Sequence, residues 1–282
     1  MVIDVHVHPE FFQAAFIDDA ATALRKKVMG RDKIGYSPTE FIIKKMDYAG
    51  IDKQVLLPLD LTTQCGCVIV TNDEMAGIVR EAPDRFIGFA SVDPFRKDAL
   101  EVLDYAFGTL KLKGLKLNPS KQRFFPDNPL MDPIYRKCLE YDKPVMFHAG
   151  MSWEPNTPAK YSKPLCFEEV AINYPGLRMC LAHFGWPWVR DTAMMILKYP
   201  NVYADTAMLY MDRAPDFYRQ IFKMDLSPLW LENCINKKVM FGSNEPRFGP
   251  GDLKWGVESL GLRSRTTARI LGGNAIEFLG GL

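Results

Sequence analysis

The stretch Val2-Ile3-Asp4-Val5-His6-Val7-His8, followed by Pro9, decides how the rest of the chain is interpreted. Its apolar residues are short and mostly β-branched, which predicts a buried strand rather than the start of a helix. Alternate residues of a strand share a face, so we expect Asp4, His6 and His8 to point the same way. Two histidines spaced in this way can hold one metal ion, although a strand with a polar face shows the same pattern.

The composition limits the classes of protein to consider. The chain has 282 residues, of which 48% are hydrophobic and 24% are charged, as in a globular protein with a large core. A formal net charge of +1 gives no reason to expect nucleic acid or an anionic membrane as a partner. No apolar stretch reaches the roughly 18 residues of a membrane span, and the first strand begins without a signal segment. A cytoplasmic location is therefore expected.

The six cysteines do not indicate a disulfide framework. Only Cys65 and Cys67 lie close together, and Cys-Gly-Cys lacks the spacing of a zinc knuckle or a redox pair. We expect free thiols, with the Cys65-Gly66-Cys67 segment in a loop after a strand. A thiol of this loop facing the functional site is the minority interpretation.

One pattern repeats along the chain: a short Val/Ile/Phe-rich run, a polar loop and a helical segment. Strands are predicted at 1–8, 53–59, 86–92, 114–119, 144–148, 177–183, 201–206 and 238–244. Helices are predicted at 11–29, 38–50, 72–82, 96–110, 129–142, 166–174, 187–199, 213–234 and 253–279. Eight such repeats predict an α/β fold, a (β/α)8 TIM barrel that forms a single domain over 1–282. The segment at about 11–36 is an insertion, and an open doubly wound sheet is the alternative architecture.

The chain has only four histidines, and each lies at the carboxyl end of a predicted strand. His6 and His8 end the first strand, His148 the fifth and His183 the sixth. Catalytic groups of such barrels come from this end of the strands. Taken singly, each histidine would more often be a hydrogen-bonded core residue, but together they predict a shared site.

Five segments resemble the amidohydrolase superfamily, and most closely its amidohydrolase-2 branch of metal-dependent hydrolases and decarboxylases. They are Val-His-Val-His-Pro at 5–9, Phe-His-Ala-Gly at 147–150, Leu-Ala-His-Phe-Gly at 181–185, Tyr-Pro-Asn-Val-Tyr-Ala-Asp-Thr at 199–206 and Phe-Gly-Ser-Asn-Glu-Pro at 241–246. The resemblance implies that His6, His8 and His148 bind a divalent metal ion and that His183 handles the proton. Zinc is the expected metal because it binds neutral imidazole well, and manganese is the alternative.

The last strand departs from the family pattern. Where the family places an aspartate that binds metal and accepts a proton, this chain has Asn244, with Glu245 next to it. An amide can ligate a metal weakly but cannot act as a base, so both roles are in doubt. We place Asn244 in the site. By strict alternation Glu245 points away from it, and a bulge would be needed to bring it in.

Further residues are expected around the site. Lys116 is predicted to pair with a carboxylate inside the barrel, and Asn118 shares its face. Arg123 and Arg247 are the candidates for binding a substrate carboxylate, because a guanidinium holds one in bidentate fashion. Trp153 and Trp186 are expected to wall an apolar pocket, and Asp205 to hydrogen-bond a metal-binding histidine.

These expectations lead to one adopted function and two alternatives. The adopted one is a metal-dependent hydrolase that uses metal-activated water on a small carboxylated or cyclic ester, lactone or amide. The first alternative is a non-oxidative decarboxylase of a small aromatic or muconate-like acid at the same site. The second is a barrel that Asn244 has inactivated and that now acts as a binding protein. A small molecule is the expected partner, and homodimers are frequent among barrels of this size.

Overall fold

The structure, a computed structural model, describes residues 1–15, 19–29, 35–208, 213–227 and 229–281. The strands are β1 Ile3–Val7, β2 Lys53–Leu56, β3 Leu59–Leu61, β4 Cys67–Ile69, β5 Phe86–Gly88, β6 Ala90–Ser91, β7 Leu115–Leu117, β8 Val145–Phe147, β9 Met179–Leu181, β10 Val202–Asp205 and β11 Val239–Met240. The α-helices are α1 Asp19–Met29, α2 Thr39–Ala49, α3 Thr62–Cys65, α4 Asn72–Glu81, α5 Ala99–Asp104, α6 Pro119–Gln122, α7 Asp132–Glu140, α8 Glu168–Asn173, α9 Val189–Lys198, α10 Ala214–Arg219, α11 Pro250–Glu258, α12 Ser264–Ala268 and α13 Asn274–Leu279.

The parallel strands form a closed barrel. One arc has the order β1-β2-β5 and the other runs from β6 to β11, and only Phe89 separates β5 from β6. The two ends of the chain close the ring, because the Val5 amide donates to the Phe241 carbonyl at 2.9 Å and the His8 amide donates to the Glu245 carbonyl at 2.8 Å. With β5 and β6 counted as one, the described residues form eight barrel strands, and the predicted (β/α)8 barrel is confirmed.

A hairpin outside the barrel was not predicted. β3 pairs antiparallel with β4, and Leu59, Leu61, Cys67 and Ile69 form a small apolar cluster of their own. The second strand therefore ends at Leu56 rather than at residue 59. The segment 65–67 is not a loop either, since Cys65 ends α3, Gly66 takes the left-handed conformation at φ 66°, and Cys67 is buried in β4.

The two longest predicted helices are wrong in extent. The helix predicted at 213–234 is interrupted, because Leu226 is extended after the helical turns that end at Asp225. The helix predicted at 253–279 is interrupted between α11 and α12, where Gly261 has φ +63°. None of the described helices is both long enough and apolar enough to cross a bilayer.

The insertion is held to the barrel by a buried arginine on α1. The Arg25 guanidinium donates to both carboxylate oxygens of Glu74, at 3.0 and 2.8 Å, and to the carbonyls of Ala15 and Val68. This fork–fork geometry ties α1 to α4 and to the hairpin strand β4. Two parts of the predicted insertion at about 11–36, residues 16–18 and 30–34, lie outside the described residues.

Candidate metal centre and its cavity

The four histidines meet at one end of the barrel. The Nε2 atoms of His6 and His8 are 3.2 Å apart, and Nε2 of His183 is 3.0 Å from Nδ1 of His148. The rings of His6 and His183 lie with centroids 4.7 Å apart, which links the two pairs. The ends of β1, β8 and β9 thus bring together side chains that are up to 177 residues apart in the sequence.

Asp205 fixes the orientation of His6. Its Oδ2 lies 2.8 Å from Nδ1 of His6, and its Oδ1 accepts hydrogen bonds from the backbone amides of His183 and Ala207. A carboxylate can only accept, so Nδ1 of His6 carries the hydrogen and Nε2 keeps a lone pair directed toward His8. Asp205 therefore makes the hydrogen bond that was expected of it.

His183 sits on a strained piece of backbone. It has φ +60° and the next residue, Phe184, has φ +45°, a region that costs a non-glycine residue energy and is frequent at functional sites. Its Nδ1 donates to the Ala207 carbonyl at 2.8 Å, which leaves Nε2 as the acceptor. Nδ1 of His148 then donates to it, and Nε2 of His148 accepts from the Ser152 hydroxyl at 2.9 Å.

Burial keeps these imidazoles neutral. Loss of solvation is the largest cause that lowers the pKa of His6, His148 and His183 well below the usual value of histidine. The neutral imidazole is also the form that binds a metal ion.

The His6–His8 pair fits a shared metal ion. Two nitrogen ligands of a tetrahedral zinc ion are about 3.3 Å apart at metal–nitrogen distances of about 2.0–2.1 Å, close to the observed 3.2 Å. His6, His183 and Asp205 also place potential ligand atoms within 4.8 Å of one another. The oxygens of Asp205 already accept three hydrogen bonds, so we assign it to positioning His6 rather than to the metal.

His148 as a third ligand stays a prediction. Both of its ring nitrogens are engaged, one with His183 and one with Ser152, so binding a metal would require it to exchange one of these hydrogen bonds.

Asn244 and Glu245 point in different directions. Asn244 is buried with φ +65°, a conformation that asparagine tolerates, and its Nδ2 donates to the Met208 carbonyl at 2.8 Å. The Glu245 carboxylate instead accepts from Lys45 at 2.6 Å and from Gln54 at 2.7 Å. Glu245 thus faces α2 and β2, so it does not replace the missing aspartate at the histidines.

Three of the four histidines border a cavity of about 50 Å³. Its lining includes the predicted residues His8, Asn118, His148, Trp153, His183, Asn244 and Arg247. It also includes polar residues that the sequence analysis missed, namely Glu10, Lys121, Ser152 and Glu154. Lys121 and Glu154 form an ion pair at 2.7 Å, and both also line an adjoining outer cavity of about 490 Å³.

The missed residues follow predicted site residues closely in sequence. Asn118 caps α6 by accepting from the Lys121 amide, so one helical turn places Lys121 beside it. Ser152 and Glu154 follow His148 on the loop after β8. The signal that could have identified them was therefore their position within a few residues of a strand end that already carries a site residue.

Arg123 and Trp186 lie elsewhere. Arg123 ends α6 in the left-handed conformation at φ 59°, which directs it to the outer cavity together with Cys65. Trp186 packs its ring against Phe217 at a centroid distance of 5.9 Å and is not among the residues lining the inner cavity.

The expected partner of Lys116 is missing. Lys116 lines the inner cavity and is 2% exposed, yet its Nζ has no hydrogen-bond partner in the described part of the chain. The predicted pairing with a carboxylate is therefore wrong, because the oxygens of Asp205 are taken by His6, His183 and Ala207. Burial lowers the pKa of the Lys116 amine to about 8.

Comparison with known proteins finds a family match over nearly the whole chain. A family model described as "Amidohydrolase" matches residues 3–281. The 2-amino-3-carboxymuconate-6-semialdehyde decarboxylase of Dictyostelium discoideum is 29% identical over 236 residues, which cover 74% of this chain. The chain spans 65% of the length of that relative.

Solved structures share the fold. A TIM-barrel protein of uncharacterized function from Bordetella bronchiseptica superposes with a TM-score of 0.76 at 18% identity, covering 99% of this chain and 98% of its own. A manganese-bound 5-carboxyvanillate decarboxylase from Novosphingobium aromaticivorans, a D314N mutant, gives a TM-score of 0.64 at 18% identity, with 99% and 95% covered. At this level of identity, the two structures support the barrel alone.

Proposed function

Because this chain belongs to the amidohydrolase family, a metal-dependent family, we propose that it is a metal-dependent decarboxylase of a small unsaturated carboxylic acid. The observation that carries the proposal is that one cavity is lined by three of the four clustered histidines and by the cationic side chains Lys116, Lys121 and Arg247. The related decarboxylases support the proposal, because the compound in the name of each enzyme is a carboxylic acid. Hydrolysis, the function adopted from the sequence, is the second candidate.

The metal would be held by His6, His8 and, after a change of hydrogen bonds, His148. Zinc is the proposed ion, with manganese as the alternative. A divalent ion in this position supplies a positive charge that polarises the oxygens of the substrate and favours the build-up of negative charge.

Charged side chains of the chain itself guide the acid into place. Arg247 is partly buried beside Glu154, and loss of solvation lowers the pKa of its guanidinium while that carboxylate opposes the change. Among the described residues it makes no ion pair, so it is free to bind a carboxylate. Asn118 and Trp153 would form the walls against which the acid packs.

His183 would deliver the proton. When the carbon–carbon bond breaks, carbon dioxide leaves and the electron pair stays on the substrate carbon, which must gain a proton. The hydrogen bond from Nδ1 to the Ala207 carbonyl fixes the ring, so Nε2 is the atom that carries the transferred proton. Nε2 of the neutral ring would first release its hydrogen bond with His148 and take up a proton from solvent. Because burial disfavours the charged ring, His183 then gives this proton up readily.

The two adjoining cavities suit a substrate longer than the inner one. The inner volume of about 50 Å³ admits only the reacting end, and the outer volume of about 490 Å³ would take the remainder. Arg123 lines this outer cavity and is proposed to contact the far end of the substrate.

Hydrolysis is the second candidate, and the neutral state of His183 favours it. With Nδ1 bound to the Ala207 carbonyl, and once His148 has exchanged its hydrogen bond to Nε2 for the metal, Nε2 holds a lone pair that can take a proton from water. A cyclic ester or a lactone would then be the substrate class.

Product analysis separates the candidates. The purified protein, loaded with zinc or manganese, is incubated with a panel of aromatic and unsaturated acids and with esters and lactones. Release of carbon dioxide from an acid, lost in His183→Gln and kept in a variant of an exposed lysine such as Lys113→Met, is the expected result. Acid release from esters without carbon dioxide supports hydrolysis, and no turnover of either class, with no stoichiometric metal, contradicts both.

A further inference from the structure

Lys116 is a buried cation without a hydrogen-bond partner among the described residues. It lies on β7 with 2% of its surface exposed. Lys121, five residues later, shows the usual arrangement of a lysine that is not fully exposed, because its ammonium group forms an ion pair with Glu154 at 2.7 Å. Burying an unpaired ammonium group is costly, so a folded chain that keeps one has a use for its hydrogen-bond donors.

No carboxylate among the described residues hydrogen-bonds to Lys116. Asp205 is the carboxylate that acts on it most strongly, but its hydrogen bonds are made with the ring of His6 and with the amides of His183 and Ala207. The amine lines the same cavity as His148 and His183. Its donors are therefore available to a molecule that enters this cavity.

We propose that Lys116 is an anion-binding residue that receives a carboxylate oxygen of the substrate inside the histidine cavity. The identification of the anion as the substrate's own carboxylate rests on the proposed function, whereas the anion site itself does not. The ligand class is a small carboxylate, with formate as the simplest member. Lys116 thereby holds the acid beside His183, where a proton is needed.

The physical chemistry of lysine suits this role. Its ammonium group is a compact charge with three donors on a flexible stem, so it can follow one oxygen of a small anion. Inside the protein the lower effective dielectric constant strengthens the attraction between such a pair. The entering carboxylate would supply the partner that the folded chain lacks.

The test uses the full chain stripped of metal by a chelator, with formate as the probe. Formate binding is measured by calorimetry or by the line width of ¹³C-formate in NMR spectra. Lys116→Met keeps the length and apolar stem of the side chain without its charge. Lys113→Met is the matched control, because Lys113 lies three residues earlier and is exposed.

We expect Lys116→Met to weaken formate binding at least tenfold and Lys113→Met to leave it unchanged. The melting temperature of Lys116→Met should be equal to or higher than that of the parent protein, because an unpaired buried charge has been removed. Equal formate binding by the parent protein and Lys116→Met, or no binding by the parent protein, overturns the proposal.

A measurement on the unaltered protein covers the case in which Lys116→Met does not fold. Cyanate, a small linear anion, carbamylates amines, and mass spectrometry reports its reaction at Lys116 and at Lys113. Formate should slow the reaction at Lys116 severalfold and leave that at Lys113 unaffected, and equal rates with and without formate overturn the proposal. Neither experiment needs turnover, so an inactive protein that binds formate through Lys116 would contradict the proposed function alone.

Discussion

Two sets of buried polar side chains differ in how their hydrogen bonds are used: one joins β1 to residues 241–245, and the other lines the histidine cavity. In the first set, Asp4 accepts from the His6 amide at 3.1 Å, from the Ser243 amide at 2.9 Å and from the Ser243 hydroxyl at 2.5 Å. Glu245 is likewise bound by Lys45 and Gln54. In the second set, the histidine cavity, Lys116 has no partner among the described residues.

The difference indicates that the first set stabilises the fold and that the second set serves binding. A network in which the carboxylate oxygens are all bound rigidifies the fold and holds the first strand against the last. A cavity with an unpaired buried amine costs the folded state energy and is useful only when something binds. Substitutions in the first set should therefore change the free energy of unfolding, and substitutions in the second set should change binding and turnover.

His8→Ala should have the largest effect, and that effect should be on metal binding rather than on the stability of the metal-free fold. Removing one member of the His6–His8 pair should weaken metal binding by at least about 100-fold, more than the loss of a residue that only orients a ligand. The melting temperature of the metal-free protein should change little. Metal analysis after dialysis and melting curves in chelator measure the two effects, and stoichiometric metal in His8→Ala would contradict the assignment.

Asp205→Asn should have the next largest effect. The amide nitrogen can donate to Nδ1 of His6, which moves the ring hydrogen to Nε2 and removes the lone pair that faces His8. Metal affinity should fall by about 10–100-fold, as for other residues that orient a metal ligand. Competition with a chromogenic chelator measures it, and unchanged affinity would show that His6 does not bind through Nε2.

Ser243→Ala tests the first set, in which residue 243 hydrogen-bonds to Asp4. It removes a hydroxyl donor from the buried Asp4 carboxylate and should lower the free energy of unfolding by about 1.5–3 kcal/mol. Ser152→Ala is the matched control, since this hydroxyl bonds the neutral His148 in the cavity and should cost about 1 kcal/mol or less. Urea denaturation of the two metal-free variants measures the loss of free energy of unfolding in each. Equal losses would contradict the distinction between the two sets.

Asn244→Asp should have effects of opposite sign with and without metal. The new carboxylate would face the Met208 carbonyl that now accepts a hydrogen bond from the amide, so the metal-free protein should lose about 1–3 kcal/mol. A bound cation would offset this repulsion, and metal affinity should rise. The change in melting temperature relative to the parent protein is measured in chelator and in excess zinc, and its sign is compared between the two conditions. A loss that persists in zinc would place residue 244 outside the metal centre.

Arg123→Gln gives the smallest expected effect because Arg123 lines the outer cavity and is exposed. An exposed charge contributes about 1 kcal/mol at most, so KM should rise by no more than about fivefold while kcat stays unchanged. Arg247→Gln is the comparison in the inner cavity and should raise KM further. A fall in kcat for Arg123→Gln would mean that the two cavities do not divide the substrate as proposed.

The barrel and its histidines were predictable because they depend on local patterns. The short apolar runs identified the barrel strands, and the strand ends carry His6, His8, His148 and His183. Glu245 was also expected to point away from Asn244, and it does. Strand alternation is not the reason, because β11 ends at Met240 and Asn244 has φ +65°.

What escaped prediction depends on the arrangement of distant segments. The β3–β4 hairpin forms because two short apolar runs pair across a helical turn, and Leu59 gave no sign of leaving the barrel strand. The side chain of Arg123 is turned to the outer cavity by a left-handed residue that composition does not specify. Lys116 was expected to find a carboxylate, but Asp205, 89 positions later, is used by two histidines instead.

The closure of the barrel has a consequence for the order of events during synthesis. His6 and His8 are synthesised well before residues 241–245, which hydrogen-bond to the same segment, and the Asp4–Ser243 bonds span 239 residues. Contacts this distant in sequence form late in folding because a long loop must close first. The two imidazoles therefore reach their final arrangement only when the barrel closes, so a site that needs both of them can form only in the finished fold.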